Sequence, residues 1–147
     1  MTASAEQAEV TATTNLRLLI VDDDQSILRL LSKQVEAFFG EDAAIRQATD
    51  ALSALNIVRT EHQDVVITDL DMDEKNGFHL LKEIKQLDPL IQVIIVTGHD
   101  SPNAIRSAFT MGADEYFIKP AAPKELVDAI SYLTNRIVRW KTAIAEL

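Results

Sequence analysis

Apolar residues in this chain gather into five short runs separated by amphipathic stretches. Leu16-Arg17-Leu18-Leu19-Ile20-Val21 leads straight into Asp22-Asp23-Asp24, and Val65-Val66-Ile67-Thr68 leads into Asp69. Gln92-Val93-Ile94-Ile95-Val96-Thr97 and Glu115-Tyr116-Phe117-Ile118-Lys119 follow, the last stopped by Pro120, and Ala43 to Ala48 forms a weaker run. Continuous apolar runs, rich in β-branched residues, predict strands covered on both faces, as in the centre of a parallel sheet. Between them the spacing turns helical. Ile27, Leu28, Leu31, Val35 and Phe38 mark a helix over Ser26 to Phe39, and Gly40 is placed to stop it. Thr49 or Asp50 caps a second helix, through about Thr60, with Leu52, Leu55 and Val58 inward. Phe78, Leu81 and Ile84 mark a third after Gly77, closed by Pro89. Ser101-Pro102 opens a fourth that Gly112 ends, and from Pro123 a last helix runs without a breaker to Leu147.

Strand followed by helix, five times over, predicts an α/β fold: one parallel sheet, helices on both faces, right-handed crossovers. In such sheets ligands bind outside the carboxyl ends of the strands. Four of the predicted strands deliver polar residues to that edge: Asp22 and Asp23, Asp69, Thr97, and Lys119.

A chain of 147 residues accommodates one packed domain. Its 14 basic and 23 acidic residues leave a charge of −9, which repels phosphate backbones and anionic lipid, so direct nucleic-acid or membrane binding is not expected. The absence of cysteine removes disulfides, thiolate metal sites and cysteine nucleophiles, and fits a cytoplasmic setting. Residues 1–15 are mostly Ala, Thr, Glu and Ser, which predicts a flexible tail and does not resemble a signal peptide.

Three carboxylates close together repel one another unless a cation sits among them. An oxygen-only donor set without His or Cys favours a hard ion, Mg²⁺ above all. With the Lys119 ammonium and the Thr97 hydroxyl, these are parts for handling a phosphoryl group.

The ordered set of Val21-Asp22-Asp23, Asp69-x-x-Met72 with Gly77, Val96-Thr97-Gly98 and Tyr116-Phe117-Ile118-Lys119-Pro120 resembles the response-regulator receiver domain of two-component signalling, over about Leu16 to Leu133. The resemblance implies a CheY-like, flavodoxin-like (βα)5 sheet of strand order 2-1-3-4-5. It implies that Asp69 takes a phosphoryl group from a histidine kinase or histidine phosphotransfer protein. Asp23 and Asp69 would ligate Mg²⁺ directly, Asp71 through its backbone carbonyl, and Asp22 mainly through water. Lys119 would pair with the phosphoryl group and Thr97 would bond to it. Tyr116 would then swing inward, changing the face of helix 4, strand 5 and helix 5. Asp71 and His99 would flank the phosphoryl group and tune its lifetime, and Lys119-Pro120 would be a cis bond. Such a protein is a phospho-accepting switch that assists its own phosphorylation and dephosphorylation, not a turnover enzyme. One departure is Asp73, where the family usually has proline.

Other readings compete. Asp69-Leu70-Asp71 also resembles the first motif of haloacid-dehalogenase-type phosphatases, although that motif sits on a first strand. A calcium loop from Asp69 lacks glycine at its sixth position, Glu74, and has Leu80 at its twelfth. A pseudo-receiver that binds partners without phosphorylation is the remaining alternative. In the last helix Leu126, Ile130, Leu133, Ile137, Trp140, Ile144 and Leu147 recur alternately four and three apart. With a receiver domain over 16–134, residues 135–147 read as a helical extension. Its seam of Leu133, Ile137, Trp140 and Ile144 predicts a coiled-coil homodimer or a linker, or else folds back on the domain.

Overall fold

Alternate residues of the central strands serve two separate cores, one on each face of the sheet. A computed structural model describes residues 15–72 and 77–147. Residues 1–14 of the expected tail, Asp73 in the usual proline position and Glu74 of the calcium-loop reading lie outside them.

The strands are β1 (Leu16–Val21), β2 (Ala43–Ala48), β3 (Val65–Thr68), β4 (Gln92–Thr97) and β5 (Glu115–Ile118). They form one parallel sheet in the order β2-β1-β3-β4-β5. The register aligns Val21 with Thr68, Thr68 with Ile95, and Thr97 with Ile118, so the strands end near one another. Hydrogen bonds continue one residue past the strands, from Asp22 N–H to Ala48 O, Asp69 N–H to Val21 O and Lys119 N–H to Thr97 O. That extra rung holds the backbone from which the polar residues of the carboxyl edge project.

The helices are α1 (Gln25–Phe39), α2 (Ala51–Thr60), α3 (Gly77–Leu87), α4 (Pro102–Thr110) and α5 (Pro123–Ala145), with a single 3₁₀ turn at Gly40–Asp42. Asp24 caps α1, accepting from Ser26 N–H at 2.8 Å and from Ile27 N–H. Asp50, not Thr49, caps α2 through Ser53 N–H at 2.7 Å, and Ser101 caps α4 through Ala104 N–H. Gly40 ends α1 at φ 56°, a left-handed angle that suits glycine. Leu19, Val21, Val66, Val93 and Ile95 pack on one face with Ala54, Leu55, Leu80, Leu81, Ile84 and Ala108. Leu18, Ile20, Val65, Ile67, Ile94 and Val96 pack on the other with Leu28, Leu31, Val35, Leu126, Ile130 and Leu133.

Two expected inward positions are exposed, and one expected seam position is buried. Leu52 is 67% exposed, because α2 turns the small residues Ala51 and Ala54 to the sheet with Leu55 and Ile57. Phe38 is 64% exposed and meets Phe39 edge-on instead of the core. In α5 the stripe does not leave the domain at Leu133: Ile137 is 4% exposed and belongs to the same core. Arg136 fixes this stretch. Its guanidinium donates to Asp114 Oδ1 at 2.8 Å and to Gln92 Oε1, and lies 4.7 Å from the centre of the Trp140 ring. Lys85 holds the other Asp114 oxygen at 2.7 Å. From Lys141 to Leu147 every residue is exposed, so Ile144 alone of the seam is left in solvent and Trp140 is half-covered.

Candidate functional site

Asp69 follows β3 directly, and its carboxylate is nearly closed off from solvent, the residue being 5% exposed. Oδ1 accepts the Asp71 N–H at 3.0 Å, and Oδ2 accepts the Lys119 ammonium at 2.6 Å. Lys119, which follows β5, also donates to Asp22 Oδ2 at 2.8 Å, and Asp22 is 2% exposed. Asp22 Oδ1 accepts the Asp24 N–H at 2.9 Å. Two buried carboxylates from adjacent strands are thus bridged by one cation from the far edge of the sheet. Burying two acids without such a partner would be strongly unfavourable.

The protonation states follow. Burial pulls the Asp69 pKa upward, but hydrogen bonds from Lys119, the Thr97 hydroxyl and the Asp71 amide, with the Lys119 charge, outweigh it and hold Asp69 below the usual carboxylate value. Burial pulls Lys119 downward, and its bonds to Asp22 and Asp69 overcome that, leaving the ammonium harder to deprotonate than usual. Near neutrality the pair is therefore an ionised carboxylate and a fixed cation.

Gly77 explains the spacing of the loop after β3. A Cβ there would stand 2.1 Å from the Asp69 carbonyl oxygen and 2.8 Å from the Leu70 Cα. Only glycine lets α3 start this close, and its N–H donates to Leu70 O at 3.0 Å.

Further out, the loops after β3 and β4 are joined by Asp71 Oδ1 and His99 Nε2 at 2.6 Å, both side chains being open to solvent. The Tyr116 hydroxyl donates to the His99 carbonyl at 2.8 Å, and its half-buried ring lies 6.4 Å, centre to centre, from Phe109 of α4. Burial, then the charges of Asp69, Asp100 and Asp71, push the Tyr116 hydroxyl pKa up, so it stays a donor. Thr97 is fully buried, and Asp23 is exposed beside Asp22. Lys119-Pro120 is cis.

The structure thus brings Asp22, Asp69, Thr97 and Lys119 into direct contact, with Asp71, His99 and Tyr116 forming a second linked group around them. Leu133 and Ile137 lie away from the site, in the core. Leu80, the twelfth position of the calcium-loop reading, is fully buried and apolar and cannot be a ligand. Sequence reasoning missed the Tyr116 bond, because its partner is a main-chain carbonyl that no residue type announces.

The donor set suits a hard divalent cation, being made of carboxylate and carbonyl oxygens. Among the described residues, no three acidic or imidazole groups are already gathered around one point. Lys119 instead holds the Asp22 and Asp69 oxygens together, and these carboxylates with that of Asp23 are the oxygen groups that could hold such an ion.

Paired acids, a hydroxyl and a lysine thus meet on the carboxyl edge of a doubly wound parallel sheet of order 2-1-3-4-5. The chain belongs to the response regulator receiver domain family, whose pattern matches residues 18–131. Sporulation initiation phosphotransferase F of Bacillus subtilis is 36% identical over 116 residues, 79% of this chain and 91% of that protein. The transcriptional regulatory protein GlrR of Escherichia coli is 34% identical over 133 residues, which are 86% of this chain but only 29% of GlrR. Among solved structures, a CheY-like response regulator receiver domain protein from Methanospirillum hungatei superimposes with a TM-score of 0.76 at 31% identity, covering 84% of this chain and 97% of that one. Family membership, and the place of Asp69 after the third strand and not the first, remove the dehalogenase-type reading. Receiver domains belong to two-component systems, in which response regulators interact with histidine kinases. Among the described residues no helix is long and apolar enough to cross a membrane.

Proposed function

We propose that Asp69 is the phospho-acceptor of a two-component phosphorelay. One Asp69 oxygen attacks the phosphorus of a phosphohistidine on a histidine kinase or phosphotransfer protein. The P–N bond breaks, its electron pair returns to the imidazole nitrogen, and an acyl phosphate forms on Asp69. The observation that carries this reading is the Lys119 ammonium set against both Asp22 and Asp69. It keeps Asp69 ionised and is already placed to follow the negative charge onto the phosphoryl oxygens.

Asp23 and Asp69, the Asp71 carbonyl and, through water, Asp22 would hold an Mg²⁺ ion, which would supply neutralisation of charge on the phosphoryl oxygens. After transfer the Thr97 hydroxyl and Lys119 exchange their Asp69 contacts for phosphoryl oxygens. The loop after β4 follows Thr97, and the Tyr116–His99 bond carries that movement to the face of α4, β5 and α5. Asp71 and His99, paired across the entrance, regulate water access and so the phosphoryl lifetime. For self-association through α5, Ile144 and part of Trp140 are what remains of the seam, since Leu133 and Ile137 serve the core.

Incubation with Mg²⁺ and acetyl phosphate tests the reading. The parent gains the mass of one phosphoryl group and Asp69→Asn does not. A pseudo-receiver would gain nothing in either form, and equal labelling of both would move the site elsewhere.

A further inference from the structure

β5 is the last strand of the sheet and pairs only with β4. Just past it, the Lys119 N–H turns inward to Thr97 O at 2.8 Å, so the alternation of a strand turns the amides of Tyr116 and Ile118 outward. Tyr116 bears this out. Its N–H donates to the side chain of Glu115, Oε1 at 3.1 Å. A carboxylate from the neighbouring residue thus stands where a further strand would pair. This edge opens onto a groove of about 550 Å³, lined by the four residues of β5, by Ile105 and Phe109 of α4, and by Glu125 at the start of α5. Phe109 and Ile118 are each 45% exposed. Glu115 and Glu125 supply its charge, and no described residue lining it is basic.

Outer amides of an edge strand, facing a groove with apolar walls, are a template for one more strand. We propose that the groove takes an extended, basic-ended segment of another protein as a sixth strand beside β5. Main-chain groups of that segment pair with Tyr116 and Ile118, displacing the Glu115 carboxylate from the Tyr116 N–H. Alternate apolar residues cover Phe109 and Ile118, and Lys or Arg at the ends meets Glu115 and Glu125. A second copy of this chain is a poor occupant, because it brings its own Glu115 and Glu125 into the same groove. A helix is a poor one too, because its main-chain groups are already bonded to one another. The groove lies on the face proposed above to move after phosphorylation; its control rests on that reading, and the pairing itself does not.

The test is a titration of the full-length, unphosphorylated chain with the peptide acetyl-KVTVTVK-amide, followed by ¹H–¹⁵N NMR and amide hydrogen exchange. The expected result is a saturable shift at Tyr116 and Ile118, with exchange at both amides slowed in the complex. Two analogues, N-methylated either at every valine or at every threonine, separate strand pairing from side-chain docking, since only one set of amides can face β5. One analogue should bind roughly tenfold more weakly and the other should bind as the parent peptide does. The acid-ended peptide acetyl-EVTVTVE-amide should bind more weakly than the basic one, and Glu115→Gln with Glu125→Gln should remove that preference. The proposal is overturned if the basic peptide gives no saturable shift, if the two methylated forms bind alike, or if the acid-ended peptide binds as well. Because the chain is unphosphorylated throughout, that failure would leave Asp69 as acceptor standing, and a failure of acetyl phosphate labelling would leave the groove standing.

Discussion

Replacing Gly77 by alanine tests how closely the acceptor strand depends on the helix behind it. The new Cβ would start 2.1 Å from the Asp69 carbonyl oxygen and 2.9 Å from the Asp69 carbonyl carbon. Its close neighbours are main-chain atoms, so no side chain can rotate away and the backbone itself must move. Over-packing of this kind costs about 1–3 kcal/mol. Stretching the 3.0 Å Gly77 N–H to Leu70 O bond adds roughly 0.5–1.5 kcal/mol. Alanine returns up to about 1 kcal/mol through helix propensity. The net loss is about 0.5–4.5 kcal/mol, centred on about 2.5, and that centre corresponds to roughly 5–10 °C in melting temperature for a chain of this size. Function should suffer more than stability, because the displaced atoms belong to Asp69 and alter its contacts with Lys119 and Thr97. Calorimetry and acetyl phosphate labelling at a temperature where the variant is fully folded give both quantities. A Gly77→Ala protein that melts with the parent and labels at the parental rate would refute the close approach of α3 to Asp69.

Other expectations follow from the same contacts. Ile137→Ala should cost about 2–5 kcal/mol in urea unfolding, as for a core isoleucine; a loss below about 0.5 kcal/mol would return Ile137 to an exposed seam. Arg136→Met should destabilise by roughly 2–4 kcal/mol and red-shift the fluorescence of Trp140, the sole tryptophan, because Asp114 loses one of its two cationic partners, keeping Lys85 and the Val93 N–H, and the ring loses its cover. Asp24→Ala removes the acceptor for two amide groups at the start of α1 and should cost about 1 kcal/mol. Asp69 has a lowered folded-state pKa, so its contribution is present above the unfolded carboxylate value and is lost as pH falls through the folded one. Lys119 is raised, so its contribution is present below the ordinary lysine value and is lost as pH rises through the folded one. Urea midpoints measured across pH should therefore show a shallower acid limb in Asp69→Asn than in the parent.

The parallel alternation of strand and helix and the meeting of Asp22, Asp69, Thr97 and Lys119 were legible because they depend on strand ends, which apolar runs mark sharply, whereas the strand order came from the family resemblance alone. Helix faces were less legible. Leu52 and Phe38 fit the periodic pattern, but alanines at 51 and 54 let α2 approach the sheet closely with Leu52 turned out, a choice made by packing. The fate of α5 was hidden for a related reason. A stripe at four-and-three spacing looks the same whether it meets a second helix or its own domain, and the contacts of Arg136 with Asp114 and Gln92 decide between them. Those partners lie 22 and 44 residues away in the chain.

The most direct measurement of the central claim is chemical trapping of the acyl phosphate. The parent chain is phosphorylated with acetyl phosphate and Mg²⁺, reduced with borohydride, digested and sequenced by mass spectrometry. The account predicts reduction of the carboxyl to an alcohol at position 69 and nowhere else; reduction at Asp22, Asp23 or Asp71, or at no aspartate, would contradict it.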